Sequence, residues 1–318
     1  MASRKWLRLL VVPSLLAYAC GSSNTPVPPT PTPTPIPIPP PAGQTVYLAG
    51  TGDIADCTNM LANDGGIHAE ATAKLIESMP EAMVFTAGDL AYFHGTVAEF
   101  NNCYGPRWGR FKSRTFPSAG NHEYESPSGV PYFDYFGSRA GDRGAGYYSY
   151  KHGNWHIVAL NSNIGVGPGS AQWNWLRSDL AANKTSDTAR CTLAYWHHPL
   201  FTSGPSAGSN GLMRAMWDVL YEFGVDVVVN GHDHMYERFR PQDSTGRPDA
   251  NSGITEYVVG TGGVVLYQFG PIQPNSLFWL NTSWGVIRFT LREVGWDSVF
   301  VDATSGANLD LSTGNLCH

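Results

Sequence analysis

Charged side chains are scarce in this chain: Asp, Glu, Lys and Arg make up 14% of its 318 residues, and the net charge is -6. Holding nucleic acid by its phosphates needs a basic excess, so the balance argues against a stable nucleic-acid partner. No CxxC pair occurs, and the cysteines therefore do not read as a zinc ribbon. The apolar stretch LLVVPSLLA near the N-terminus is too short to span a bilayer, which takes about 20 residues. Apolar residues at 42%, with abundant Gly, Trp and Tyr, suit a loop-rich globular enzyme rather than a disordered or coiled-coil chain. The length leaves room for one large domain or two small ones.

What stands at the N-terminus reads as a targeting segment over residues 1–19. Arg4, Lys5 and Arg8 form a positive region, the apolar stretch follows, and Ala17 and Ala19 make a small-residue cleavage site. Cleavage there leaves Cys20 first, an arrangement that resembles the lipobox of bacterial lipoproteins, although Tyr18 is less usual than a small residue and plain secretion stays open. Residues 20–43 then alternate Pro with Thr and Ile, the composition of an extended spacer rising ~3.1 Å per residue. The expectation is a lipid-anchored or secreted protein, at the cell surface or in the periplasm, with its catalytic domain over residues 44–318. Cys57, Cys103, Cys191 and Cys317 remain, an even number that suggests two disulfides in an exported chain. Three pairings are possible, of which Cys57 with Cys103 and Cys191 with Cys317 is favoured.

Several short apolar runs end at once in Gly, Asp, Asn or His: TVYLAGTGD, AMVFTAGD, RTFPSAGNHE, RCTLAYWHHP and VDVVVNGHDH. Helical patterns lie between them, with Ile67, Ala71, Leu75 and Met79 on one face of the first and Leu212, Met216, Val219 and Phe223 on one face of another. Strands alternating with helices predict an α/β core with parallel strands, and such sheets carry their sites at the carboxyl ends of the strands. The run ends supply Asp53, Asp89, Tyr92, Asn121, His122, His197, His198, His232 and His234. Each has an ordinary reading: Asp after Gly in a turn, Asn121 in left-handed geometry, His198 packing before Pro199. Together they form a mixed set of carboxylates, an amide oxygen, imidazoles and a phenol, suited to iron, zinc or manganese rather than calcium. In an extended segment residues two apart point the same way, so His232 and His234 converge on one object.

The ordered blocks GD, GDLAY, GNHE, HHP and GHDH resemble the motif blocks of the calcineurin-like metallophosphoesterase superfamily, over residues 45 to about 310. Most members open with Asp-x-His, whereas Ile54 and Ala55 follow Asp53 here. In the purple acid phosphatase branch that His is absent and a Tyr of the second block replaces it as ligand, a pattern Tyr92 matches. The resemblance implies a layered α/β/β/α sandwich of two mixed sheets flanked by helices. It implies that Asp53, Tyr92 and His234 bind a first metal, ferric iron, that Asn121, His197 and His232 bind a second, divalent Fe, Zn or Mn, and that Asp89 bridges both. It further implies a small phosphorylated substrate, with hydrolysis by metal-bound hydroxide attacking phosphorus, and a catalytic His122 that contacts the phosphate and protonates the leaving oxygen. The structural alternative for His122 is a hydrogen bond to a carboxylate such as Glu123.

Departures from the family pattern bear on substrate. Plant relatives carry further histidines after the block matching HHP, yet PLFTSGPSAGSNG has none. His94 stands where relatives often have an acidic residue, and it joins His122 and His198 as a candidate for substrate contact. No N-terminal β-domain of the plant type is expected, since the spacer runs straight into the first strand. Monoester hydrolysis is the leading expectation; a phosphodiesterase or nucleotide hydrolase on the same scaffold is the alternative, and a non-catalytic cell-wall-binding lipoprotein is a third. GPSAG at Gly204–Gly208 fits G-x-S-x-G, but Ser206 lies in a Gly, Ser and Pro loop rather than between strand and helix. GTGG at Gly260–Gly263 reads as a tight turn near the site, and Trp173, Trp175 and Trp217 as core.

Overall fold

In the apolar run at Val227–Asn230, Val227 and Val229 point into one hydrophobic cluster while Val228 points into another, the period-two alternation of a strand buried on both faces. The computed structural model describes residues 43–57, 67–186, 189–208 and 211–318; the leader, Cys20 and the Pro-rich stretch lie outside the described residues. The strands in chain order are β1 (Val46–Thr51), β2 (Ala55–Asp56), β3 (Met83–Ala87), β4 (Ala91–Tyr92), β5 (Thr115–Ser118), β6 (Tyr148–His152), β7 (Trp155–Ala159) and β8 (Cys191–Tyr195). They continue with β9 (Val227–Asn230), β10 (Tyr236–Phe239), β11 (Thr255–Val259), β12 (Ser276–Leu280), β13 (Gly285–Arg292), β14 (Gly295–Asp302) and β15 (Asn308–Leu316). The helices are α1 (Ile67–Glu77), α2 (Val97–Glu99), α3 (Gly105–Arg107), α4 (Asn121–Glu125), α5 (Val130–Phe136), α6 (Ala171–Ser186) and α7 (Arg214–Glu222), with π and 3-10 turns around α2 and α3. Among the described residues no helix is long and apolar enough to cross a membrane.

One sheet runs β15-β14-β13-β1-β3-β5 and the other β12-β10-β11-β9-β8-β7-β6, with β2 and β4 paired apart. Within the two sheets parallel pairing joins β1-β3-β5 and β7-β8-β9-β11, and the flanking strands are antiparallel; β2 and β4 are also parallel. Leu48, Phe85, Ile287 and Phe289 of the first sheet meet Ile157, Leu193, Tyr195, Val229 and Tyr257 of the second in the central core. The outer face of the first sheet packs against α1 and the short helices through Trp108, Phe100 and Tyr132. The outer face of the second packs against α6 and α7 through Leu176, Trp217 and Leu220. The result is the helix, sheet, sheet, helix layering expected, with two mixed sheets. Both disulfides join the favoured partners, Cys57 with Cys103 and Cys191 with Cys317.

Two helix faces differ from expectation. In α1 the buried stripe is Ala69, Thr72, Ala73 and Ile76, with Leu75 half-buried. Small residues allow the close approach this helix makes: the Trp108 indole donates to the Ala69 carbonyl at 3.1 Å, and the Thr72 hydroxyl donates to the Gly262 carbonyl at 2.6 Å. At α7 Leu212 is 79% exposed, because it sits in the 3-10 turn before the helix and does not follow the helical face; Met216 and Val219 are buried as expected, Phe223 is half-buried, and Trp217 and Leu220 join the buried stripe. Trp217 is core, while Trp173 and Trp175 are half-buried against the same cluster.

Beneath the loop after β8 lie two buried carboxyls, Glu237 and Glu256. Glu237 accepts from the Ser203 backbone at 2.7 Å and Glu256 from the Phe201 backbone at 3.4 Å, whereas the second oxygen of Glu256 has no partner among the described residues. Burial, reinforced by Glu237, holds the Glu256 carboxyl well above the usual range. An acid with a raised folded pKa contributes full stability below its unfolded value and loses it as pH climbs through the folded one. The melting-temperature advantage of Glu256→Gln over wild type is therefore expected to grow from pH 5 to pH 8; a difference that is flat or shrinks across that range would show that Glu256 is not a buried acid in the native state.

Candidate metal centre

The segments that follow β1, β3, β5, β8 and β9 at their carboxyl ends carry the cluster, with Tyr92 in the short strand β4 and Asn121 at the start of α4. Asp53, Asp89 and His232 take left-handed backbone angles, φ of 59°, 52° and 71°, a conformation that costs free energy in a non-glycine residue and recurs where side chains must be aimed. Hydrogen bonds hold it: the His232 backbone N–H donates to Asp53 Oδ2 at 2.8 Å, and the His122 backbone N–H donates to Asp89 Oδ1 at 2.8 Å. Glycine is required where these loops meet, since a Cβ on Gly120 would lie 2.0 Å from Asp89 Oδ1 and one on Gly260 2.2 Å from the Asp233 carbonyl oxygen. The GTGG stretch is accordingly a close-packed turn behind Asp53.

Two donor sets result. The Tyr92 hydroxyl lies 2.7 Å from Asp53 Oδ1, 3.1 Å from Asp89 Oδ2 and 3.1 Å from His234 Nε2. Asn121 Oδ1 lies 3.0 Å from His197 Nε2 and 3.1 Å from His232 Nδ1, and these two nitrogens are 3.1 Å apart. Asp89 Oδ2, 3.0 Å from His197 Nε2, touches both sets. Behind them, His197 Nδ1 faces the Ala87 carbonyl at 2.9 Å and His234 Nδ1 the Val265 carbonyl at 2.8 Å. Carbonyls accept only, so the proton sits on Nδ1 and each Nε2 lone pair points into the cluster, the orientation in which a carbonyl behind the ring readies an imidazole to bind a metal.

The donor chemistry fits a pair of cations. Lone pairs of an amide oxygen, a carboxylate and an imidazole face one another across about 3 Å, and something positive has to lie among them. Without a cation a proton serves: burial would lower the His197 pKa, yet Asp89 raises it to about 9. Asp89 is itself held ionised, well below the usual range, by His197 and His122 against its burial. Burial and the carboxylates of Asp53 and Asp89 push the Tyr92 phenol well above its ordinary value, so a phenolate at this position calls for a multiply charged ion beside it. His232, by contrast, is lowered to about 4 by burial and by His197, which keeps it neutral and free to ligate.

The other candidates lie further out. His122 Nε2 is 3.8 Å from Asp89 Oδ2 and its Nδ1 faces the Phe93 carbonyl; Glu123 is not its partner. The His198 ring lies 4.4 Å from that of His232 and its Nδ1 2.7 Å from the Ser162 hydroxyl. His94 is not brought to the cluster: its side chain is 65% exposed and faces Glu125. Ser206 donates to the carboxylate of Asp233 at 2.8 Å, the bond of a loop hydroxyl that braces the turn between His232 and His234. Three contributors stand outside the predicted set, of which only Glu123, the last residue of GNHE, has a signal in the sequence. Glu123 accepts from the backbone N–H groups of Asp89, Leu90, Ala91 and Gly120, Tyr267 stacks on the His234 ring at 3.9 Å, and Ser162 holds His198.

Comparison with known proteins decides the family. Residues 48–236 match the calcineurin-like phosphoesterase family. The chain belongs to that family. Its curated relatives include purple acid phosphatase 15 of Arabidopsis thaliana, 30% identical over 53% of this chain and 38% of the relative, and purple acid phosphatase 18 of the same plant, 28% identical over 70% of this chain and 51% of the relative. The chain spans about half the length, or less, of these relatives. Among solved structures, a purple acid phosphatase from yellow lupin seeds superposes with a TM-score of 0.74 at 19% identity, over 85% of this chain and 54% of that one. A dimetal phosphatase from Danio rerio gives 0.57 at 14% identity, over 85% and 99%. Within the calcineurin-like family this member is purple acid phosphatase-like, in agreement with the Tyr in its second motif block.

Proposed function

We propose that this phosphoesterase-family chain is an exported hydrolase of phosphomonoesters working at a dinuclear metal centre. The observation that carries the proposal is the place of Asp89 Oδ2, shared between the donor set of Asp53, Tyr92 and His234 and that of Asn121, His197 and His232. The first set would hold ferric iron and the second a divalent Fe, Zn or Mn, with Asp89 setting their spacing. Such a metal pair, when bound, supplies a water acidic enough to attack at working pH and clamps the phosphoryl oxygens.

The chain's own residues do the rest by positioning, as phosphoryl transfer mostly requires. His122 has its backbone fixed on Asp89 and its Nδ1 on the Phe93 carbonyl, which leaves Nε2 to face a substrate. In hydrolysis the water oxygen ends on phosphorus and the ester P–O bond breaks; His122, with one proton on Nδ1 toward the Phe93 carbonyl and a second on Nε2, would give the second to the leaving oxygen, and the proton the water gives up restores it. His198, braced by Ser162, lies beside His232 as a further phosphate contact, while His94 would reach a substrate only from the outer edge. The two disulfides support an exported chain; with the leader and Cys20 they support a lipid anchor, and Cys20→Ser is expected to move the protein from the membrane to the soluble fraction.

Exhaustive chelation is expected to abolish hydrolysis of an aryl phosphate monoester, and iron with zinc or manganese to restore it, with the matching diester turned over more slowly. Turnover that survives chelation, or faster turnover of the diester, would overturn the reading. Iron-loaded oxidised protein is also expected to show a visible charge-transfer band that Tyr92→Phe removes; a colourless protein with a full iron complement would take Tyr92 out of the ligand set.

A further inference from the structure

The Tyr92–His234 pair is flanked on both sides by apolar side chains held open to solvent. Next to Tyr92, Phe93 is 43% exposed, with its ring 5.8 Å from that of His122. Its backbone is pinned at both ends, the N–H donating to Glu99 Oε1 at 2.7 Å and the carbonyl facing His122 Nδ1. Next to His234, the stretch VVLYQFGPI at residues 264–272 presents Val265, 68% exposed, and Ile272, 38% exposed. This loop is fastened to the ligand itself: the Val265 carbonyl meets His234 Nδ1, the Tyr267 N–H donates to the His234 carbonyl at 2.8 Å, and the Tyr267 ring lies face to face with the imidazole. Gly270 then donates to the Ser203 carbonyl at 2.8 Å. Apolar groups held at the rim of a polar cluster offer burial to an apolar part of a molecule bound there.

The charge around the cluster points the same way. The hydrogen-bond and ion-pair partners of Asp89, His197, His232 and His234 are one another, Asp53, Tyr92, Asn121, His122, Glu123 and backbone groups. Among the described residues no Lys or Arg hydrogen-bonds or ion-pairs with them; Arg110 pairs with Glu70, Arg177 with Glu222 and Arg238 with Asp310. Phosphates beyond the one on the metals need such cations, usually Arg or Lys.

Resting on the monoesterase reading, we infer that this site selects monoesters with an apolar alkyl or aryl leaving group, received between Phe93 and the Val265–Ile272 loop, over polyanionic esters such as nucleoside triphosphates. The test uses metal-loaded protein and a series of n-alkyl phosphates below their micelle concentration, in which leaving-group pKa is nearly constant. A fully buried methylene is worth up to about fourfold, so kcat/KM is expected to rise roughly tenfold or more from ethyl to octyl, and octyl phosphate to exceed ATP. Phe93→Ser and Val265→Ser should each flatten that slope. A flat series, or a preference for ATP, overturns the inference. Calorimetric Kd values for ethyl- and octylphosphonate give the same comparison without turnover: protein that hydrolyses nothing refutes the monoesterase reading, while the chain-length dependence of Kd still decides this one.

Discussion

Asp89→Asn is expected to lower kcat/KM for an aryl monoester by roughly 10³-fold or more, the scale on which removing one centrally placed electrostatic group acts in hydrolases. The substitution changes almost no volume and leaves an oxygen able to accept from His122, so the fold should persist. What it removes is the charge of Oδ2, the atom in contact with both Tyr92 and His197. A bound-metal count should therefore fall together with the rate. A variant that keeps both metals and turns over within tenfold of wild type would mean that Asp89 does not bridge.

The second large effect lies one layer further out. Glu123 Oε2 accepts from the Asp89 and Gly120 backbones at 2.9 and 2.8 Å, and Oε1 from those of Leu90 and Ala91 at 2.8 and 3.3 Å. One buried carboxylate thus ties the loop after β3 to the turn that opens α4, and so sets Asp89 against Asn121. In Glu123→Gln the amide nitrogen meets N–H donors at one of these positions, leaving two buried donors unpaired at about 1–3 kcal/mol each. That is a large share of a total stability of about 5–15 kcal/mol, so the melting temperature should fall by roughly 5–15 °C. Loss of outer support commonly weakens metal binding about 10- to 100-fold, and metal titration of the folded variant is expected to show it. Wild-type melting and metal affinity together would reduce Glu123 to a bystander.

Much of this was legible beforehand. Alternating burial along Val227–Asn230 and the abrupt turn to polar residues after it are local features, and they identify both the strand and the edge where its histidines emerge. Both disulfide pairs also match the favoured arrangement. The α1 and α7 faces were misjudged in part because a helical wheel assigns a stripe without knowing what it meets: Ala69 and Ala73 face the sheet because Trp108 and Gly262 demand small neighbours, and Leu212 lies outside the helix proper. Tyr267 and Val265 belong to no motif block, so nothing local marks them as neighbours of His234.

Sequence by itself determined which side chains could meet, because strand period, glycine turns and the carboxyl-edge rule act within a few residues. Tertiary structure alone decided how they meet. Whether Asp89 Oδ2 lies between two donor sets, whether Glu123 reaches four amides across two loops, and whether His94 turns toward the cluster or toward Glu125 depend on how closely separate loops approach, and that distance is set by packing between segments far apart in the chain.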